Sequence, residues 1–223
     1  MKLVSCLLCN SRIAIQSSIC DRCYDLLPWN ISCCSQCGKV LSFSHSSTTC
    51  CAACFVRPRE SLIFAAFIYI EPISDIIHSF KYHANFEFVK FLAASMLEYR
   101  CSKPGFSLPD IIIPVPLHKN RLRSRGFNQA WELVKVLGDL LRVPVAHNYV
   151  LRLKNTKSQL LCKREERLAN VRNAFSAVNK LENKKVLVVD DVVTTGATIF
   201  SVEKELRRIG CFSVEFWAIA RGK

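Results

Sequence analysis

Thirteen consecutive residues, Val186 to Thr198, read VLVVDDVVTTGAT and limit the possible folds more than any other segment. An apolar run ends in adjacent carboxylates, Asp190 and Asp191. A loop of small residues follows, Thr194-Thr195-Gly196-Ala197-Thr198, and then an amphipathic stretch. This order predicts a strand over Lys185–Asp190, an acidic turn, an anion-binding loop and a helix over Thr198–Ile209. Backbone N–H groups in such a loop, with the positive end of a helix behind them, hold a phosphate. Thr194, Thr195 and Thr198 add hydroxyl donors, and Gly196 lets the backbone turn close to the ligand. The paired Asp side chains accept hydrogen bonds from vicinal sugar hydroxyls or lie beside a hydrated Mg²⁺. A 5-phosphate next to a ribose diol meets all of these groups. The segments GxxxxGK[ST] and GxGxxG are absent, so neither a Walker loop nor a dinucleotide fingerprint is present.

The other dense signal is at the opposite end. Ten of the thirteen cysteines fall in the first 54 residues. Cys6-x₂-Cys9 precedes Cys20-x₂-Cys23, and Cys34-x₂-Cys37 precedes Cys51-x₂-Cys54. Each C-x₂-C turn offers two thiolates to one tetrahedral ion, so two turns complete a Cys₄ zinc site. Asn10 follows Cys9 and Gly38 follows Cys37, and both residue types accept the left-handed backbone that such turns need. Cys33 and Cys50 blur the second register and leave it open, with the x₂ spacing favouring Cys34 and Cys51. Sites interleaved between first and third turns, or free redox thiols, are the alternatives. So small a segment has little core, and bound zinc would supply its folding energy.

Between these ends, strands and helices alternate. Strands are expected at Leu62–Ile70, Ile111–Val115, Val145–Leu151 and Ser213–Ala220. Helices are expected at Pro72–Tyr82, Phe86–Tyr99, Asn128–Leu141 and Arg164–Asn173, the first carrying Ile73, Ile76, Ile77 and Phe80 at helical spacing. The pattern predicts an α/β parallel sheet with its ligand at the carboxyl ends of the strands. Phe55–Glu60 reads as a linker between residues 1–57 and a domain over 61–223. The apolar runs are far below the ~20 residues that span a bilayer. The N-terminus lacks a secretory apolar region, so a cytoplasmic location is expected.

The formal net charge is +13. Such a balance favours phosphate-rich partners. Two segments carry much of it. Pro114–Gln129, PVPLHKNRLRSRGFNQ, leaves a strand end with Lys119, Arg121, Arg123 and Arg125 and no acid. Arg152–Phe175 is a polar stretch with Lys154, Lys157, Lys163 and Arg164, set to close over a ligand. Either is alternatively a solvated basic surface.

VLVVDDVVTTGAT resembles the 5-phosphoribosyl-1-diphosphate (PRPP) motif of type I phosphoribosyltransferases. With the Cys₄–Cys₄ N-terminus, FKYHAN (Phe80–Asn85), PVPLHKNRLRSRGFNQA and Thr156, Gln159, Arg167, Asn170, Ala174 and Phe175, nearly the whole chain resembles the ComF family. The resemblance implies a type I phosphoribosyltransferase-like domain preceded by a small Cys-rich double zinc ribbon. It implies PRPP with Mg²⁺ on Asp190, Asp191 and Thr194–Thr198, with Lys119 and Arg121 at the diphosphate. It implies single-stranded DNA on Arg123, Arg125, Lys154, Lys157, Lys163 and Arg164. It also implies a cytosolic role in handling incoming single strands, beside a ComFA-like helicase partner at the inner membrane.

Turnover is a separate question. Hypoxanthine-type enzymes carry an acid where Thr194 stands, and Thr194 is no base at neutral pH. Orotate-type enzymes work through basic loop residues instead, a part open to Lys154, Lys157 or Lys163. No catalytic base is identified from the sequence. The segment His78–Phe88 is the candidate nucleobase hood. Phe127, Trp131 and Phe175 either stack on a strand or pack in the core. The two functional readings are a PRPP-binding DNA-uptake factor and an active phosphoribosyltransferase.

Overall fold

The computed structural model describes residues 3–14, 18–41, 49–154 and 174–222. An antiparallel pair, β1 (Leu3–Ser5) and β2 (Arg12–Ala14), opens the Cys-rich segment, which also holds the short helices α1 (Asp21–Asp25) and α2 (Ala52–Val56). The chain continues through β3 (Leu62–Ile68), α3 (Ile73–His83), α4 (Val89–Cys101), β4 (Ile111–Pro114), α5 (Lys119–Arg125) and α6 (Gln129–Leu141). It ends with β5 (Val150–Arg152), β6 (Phe175–Ala177), β7 (Lys185–Val193), α7 (Ala197–Arg208) and β8 (Ser213–Arg221).

Four strands form one parallel sheet in the order β3-β8-β7-β4. Strand β7 is interior, and its residues alternate between two cores. Leu187 and Val189 face a cluster built with α3, α4 and α6. Val186 and Val188 face a second cluster built with α7 and the β5–β6 pair. Burial on both faces is why the sequence there is continuously apolar.

The Cys-rich segment covers the outer edge of β3. The N–H of Asn30 donates to Ala66 O at 2.9 Å, that of Ile68 to Pro28 O at 2.8 Å, and that of Ile63 to Gln36 O at 2.9 Å. An edge left open would offer these groups to another chain. The two Cys turn pairs straddle that edge. Cys6, Ile19 and Leu27 join the core on the α4 side. Cys34, Cys37 and Cys54 join the core on the α7 side.

Several elements differ from expectation. Residues 119–125, to which the sequence assigns neither strand nor helix, form helix α5. His118 Nδ1 accepts from the Asn120 N–H at 3.2 Å and caps it, and Gly126 at φ 84° ends it. A strand over Val145–Leu151 is expected, but only Val145 bridges the sheet, beside Ile112. The strand proper begins at Val150 and pairs antiparallel with β6, whose strand character was not foreseen. Strand β7 runs past the acidic pair to Val193, because Asp190, Val192 and Val193 keep register with Ala218, Ala220 and Arg221 of β8. The expected helix over Arg164–Asn173 lies outside the described residues. No helix among the described residues is long and apolar enough to cross a membrane.

Candidate ligand site and metal centres

Parallel strands end together, so the groups that follow β7 and β4 meet at one rim. There a cleft of about 220 Å³ is lined by Asp190, Asp191, Thr194 and Thr198 from the motif. Its other walls include Arg121 and Arg125 from α5, Arg152 from β5, and His78, Lys81 and Tyr82 from α3. A smaller hollow against the same residues is walled by the whole loop, Thr194 through Thr198. Gly196 holds φ 79° at the N-cap of α7. The Thr195 hydroxyl accepts from the Ala197 N–H at 3.3 Å.

Two carboxyls side by side cannot both ionise freely. Burial, and then the neighbouring Asp191 charge, push Asp190 up to about 7. Lys81 offsets part of this, with Nζ 3.0 Å from Asp191 Oδ2. Burial opposes the Lys81 charge, but Asp191 outweighs it and holds the ammonium above its ordinary range. Across the cleft, burial and then the nearby Arg121 charge lower the Arg152 guanidinium. The site thus sets a guanidinium wall against an acidic floor, the polarity that a diphosphate joined to a diol requires.

The pH consequence has a definite sign. An unfolded Asp ionises near 3.9, and Asp190 in the fold only near 7. Between these values the folded chain keeps a proton that the unfolded chain has lost, so stability from this carboxyl falls as pH rises through that window. Asp190→Asn is therefore expected to raise the melting temperature at pH 8 by about 3 °C or more, and by less at pH 5. An equal change at both pH values would contradict the assignment.

The basic residues regroup on folding. Helix α5 turns Arg121 and Arg125, four apart, toward the cleft, and leaves Lys119 and Arg123 exposed. Arg125 donates to Gln129 Oε1 at 2.6 Å and lies 5.4 Å from the Tyr82 ring centroid. Lys154 is exposed. Lys157, Lys163 and Arg164 lie outside the described residues. The aromatic candidates take the packing alternative. Phe127 lies against Phe80 and Phe86, Trp131 against His147, and Phe175 is buried under Arg152. Lys81 and Arg152 escaped the sequence reading as site residues, although FKYHAN contains the former.

The cysteines assemble as two sequential clusters. Ligand atoms of Cys6, Cys9, Cys20 and Cys23 lie within 4.8 Å of one another, and so do those of Cys34, Cys37, Cys51 and Cys54. A zinc ion with four Zn–S bonds of about 2.3 Å sets its sulfurs about 3.8 Å apart. Cys9–Cys20 and Cys37–Cys51 are each at 3.7 Å. Each cluster pairs a thiol that ionises readily with thiols that resist it: hydrogen bonds from Cys9 and Cys20 push Cys23 up to about 12, and burial raises Cys37 and Cys54. The Ser11 hydroxyl beside Cys9 brings it to about 6. Burial opposes ionisation of Cys34, but the N–H groups of Cys51, Cys37 and Gln36 bring it to about 6 as well. Asn10 at φ 61° and Gly38 at φ 64° take the left-handed turns expected of them. Any Cβ on residue 38 would sit 3.0 Å from Ile63 O, so glycine also permits the close approach to β3. The residues therefore fit two structural zinc ions.

A parallel sheet whose interior strand ends in a double acid and a small-residue loop defines a phosphoribosyltransferase-type domain, here with two tetracysteine clusters on its N-terminal side. The phosphoribosyl transferase domain family matches residues 132–223, so β3 and β4 lie outside the matched span. Competence protein F of Haemophilus influenzae is 34% identical over 224 residues, 97% of this chain and 96% of the relative. The DNA utilization protein YhgH of Escherichia coli K12 is 31% identical over 222 residues, again 97% and 96%. Competence protein ComFC of Bacillus subtilis is 29% identical over 173 residues, 74% and 68%. The chain belongs to the ComF family.

Proposed function

We propose that this protein is a competence factor that binds PRPP in the cleft beside β7 and handles incoming single-stranded DNA. The observation that carries the reading is the opposition, across one cleft, of Asp190 and Asp191 to Arg121, Arg125 and Arg152. The loop Thr194–Thr198 takes the 5-phosphate through backbone N–H groups and hydroxyls. The acids take the ribose diol, and the guanidiniums take the diphosphate. Mg²⁺ bound with PRPP would supply further neutralisation of the diphosphate beside Asp190 and Asp191. The strand-binding role draws on the names of the relatives and on exposed cations, Lys119, Arg123 and Lys154 among them. The protein would act in the cytoplasm, at the inner membrane through a ComFA-like helicase partner.

The second reading is an active phosphoribosyltransferase. The wall of His78, Lys81 and Tyr82 beside the acids favours it, because it bounds room for an acceptor. In that reaction the ribose C1–O bond to diphosphate breaks, a bond from C1 to the acceptor forms, and the acceptor proton passes to solvent.

Calorimetric titration of the zinc-loaded protein with PRPP and Mg²⁺, with and without a single-stranded oligonucleotide, tests both. PRPP binding coupled to DNA binding supports the uptake factor. DNA affinity should then fall steeply with salt, since each phosphate contact releases counterions. Diphosphate release that depends on an added base supports the transferase. Absence of PRPP binding would defeat both readings of the cleft.

A further inference from the structure

Arg221, the last residue of β8, is 5% exposed. Its Nη1 donates to Val193 O at 2.9 Å and to the carbonyl of Thr194. These are the last carbonyl of β7 and the first of the small-residue loop. The N–H of Gly222 donates to the same Val193 O at 2.8 Å. The guanidinium lies within electrostatic reach of Cys37 and Cys51 of the second cluster.

Arg59 makes a parallel link. Its backbone N–H donates at 2.7 Å to Oε1 of Gln36, which lies inside the Cys34–Cys37 turn. Its side chain lies within electrostatic reach of the Cys54 thiol. Its Nη2 lies 3.8 Å from where a Cβ on Gly196 would stand. Beneath both, Cys34, Cys37 and Cys54 share one apolar cluster with Val193, Ala197 and Ile199. The first cluster is on the other side of the sheet. It meets α4 there, where the Tyr24 hydroxyl donates to Glu98 at 2.5 Å.

A buried guanidinium is costly without an anion, and four thiolates around one divalent zinc leave a net charge of −2. The second centre is therefore suited to be the counter-charge for Arg221, while two loop carbonyls take its donors on the other side. We infer that the second tetracysteine centre is the support behind the ligand site: Arg221, with Arg59 beside it, is a positioning residue that ties this centre to the Thr194–Thr198 loop and sets the loop's affinity for phosphate. The inference rests on the reading that this loop holds a phosphate of PRPP. It gives the second Cys₄ centre a role that the first lacks: both lie along the β3 edge, but only the second backs the site.

The test uses the full chain carrying two zinc ions. Arg221→Gln is compared with the wild type in zinc content, in PRPP affinity with Mg²⁺, and in amide hydrogen exchange at 194–198. Zinc content is expected to stay at two per chain. PRPP affinity is expected to fall about tenfold or more, and exchange of the loop amides to rise by a similar factor while the β7 amides stay protected. Arg221→Lys keeps the charge and one donor, and should recover part of both, which mere loss of packing would not explain. Should the glutamine variant lose zinc, the lysine variant is read alone, with the same signs expected. Unchanged affinity and unchanged loop exchange would overturn the inference. If the wild type itself binds no PRPP, the reading of the cleft fails, and exchange alone decides whether Arg221 holds the loop.

Discussion

Replacing Asp190 and Asp191 together by asparagine is expected to weaken PRPP binding by at least about 100-fold, beyond detection in an ordinary titration. The substitution keeps shape and two amide groups. It removes the negative charge of the acidic pair and replaces one oxygen on each side chain by a donor nitrogen. A ribose diol presents donors, so its partners turn from two acceptors into mixed groups. Lys81, now 3.0 Å from Asp191 Oδ2, loses its counter-charge. The cleft becomes wholly cationic, which alone would attract a diphosphate. Weakened binding would therefore come from the lost diol and metal contacts and not from a general loss of charge attraction. Titration of inorganic diphosphate separates the two effects, because it should bind the double variant no worse than the wild type. PRPP binding at wild-type strength in the double variant would mean that the acids are not the site.

Cys54→Ser is expected to reduce bound zinc from two ions to one per chain and to lower the melting temperature by about 10 °C or more. Cys54 is the better choice of ligand for this test, because Cys50 lies 3.9 Å from Cys34 and is a ready replacement there. At 2% exposure, a serine hydroxyl at position 54 is also buried. The cost reaches past the metal. The Cys34–Cys37 turn carries Gln36, whose carbonyl pairs with Ile63 on the sheet edge, so a loosened turn opens the edge of β3. Aggregation through that edge should accompany unfolding. Two zinc ions per chain and an unshifted melt would show that position 54 is not a ligand.

The double acid and the Cys₄ turns were legible because each is a contiguous pattern. A strand, two acids, a small-residue loop and a helix follow one another within thirteen residues, and C-x₂-C is a local turn whose geometry its spacing fixes. The order of zinc turns was harder. Cys33 and Cys34, or Cys50 and Cys51, differ by one residue, and only folding shows Cys33 turned away toward the Tyr99 hydroxyl at 3.2 Å.

The basic residues mark the limit of this kind of reading. PVPLHKNRLRSRGFNQ announces cations but not which of them face the cleft. That depended on helix α5, nucleated by the His118 cap and closed at Gly126, which turns Arg121 and Arg125 one way and Lys119 and Arg123 the other. Lys81 meets Asp191 across 110 residues of chain, and Arg152 and Arg221 arrive from separate strands. The sequence by itself determined the small-residue loop, the acidic pair, the sequential C-x₂-C turns and the parallel α/β class. Each follows from local spacing, backbone conformation or one-dimensional apolar period. Only the tertiary structure decided the cationic wall, the Lys81 ion pair and the placing of the two Cys₄ centres on opposite faces of the sheet. Those follow from strand order and from which core each side of an edge strand must fill, and no local pattern encodes either.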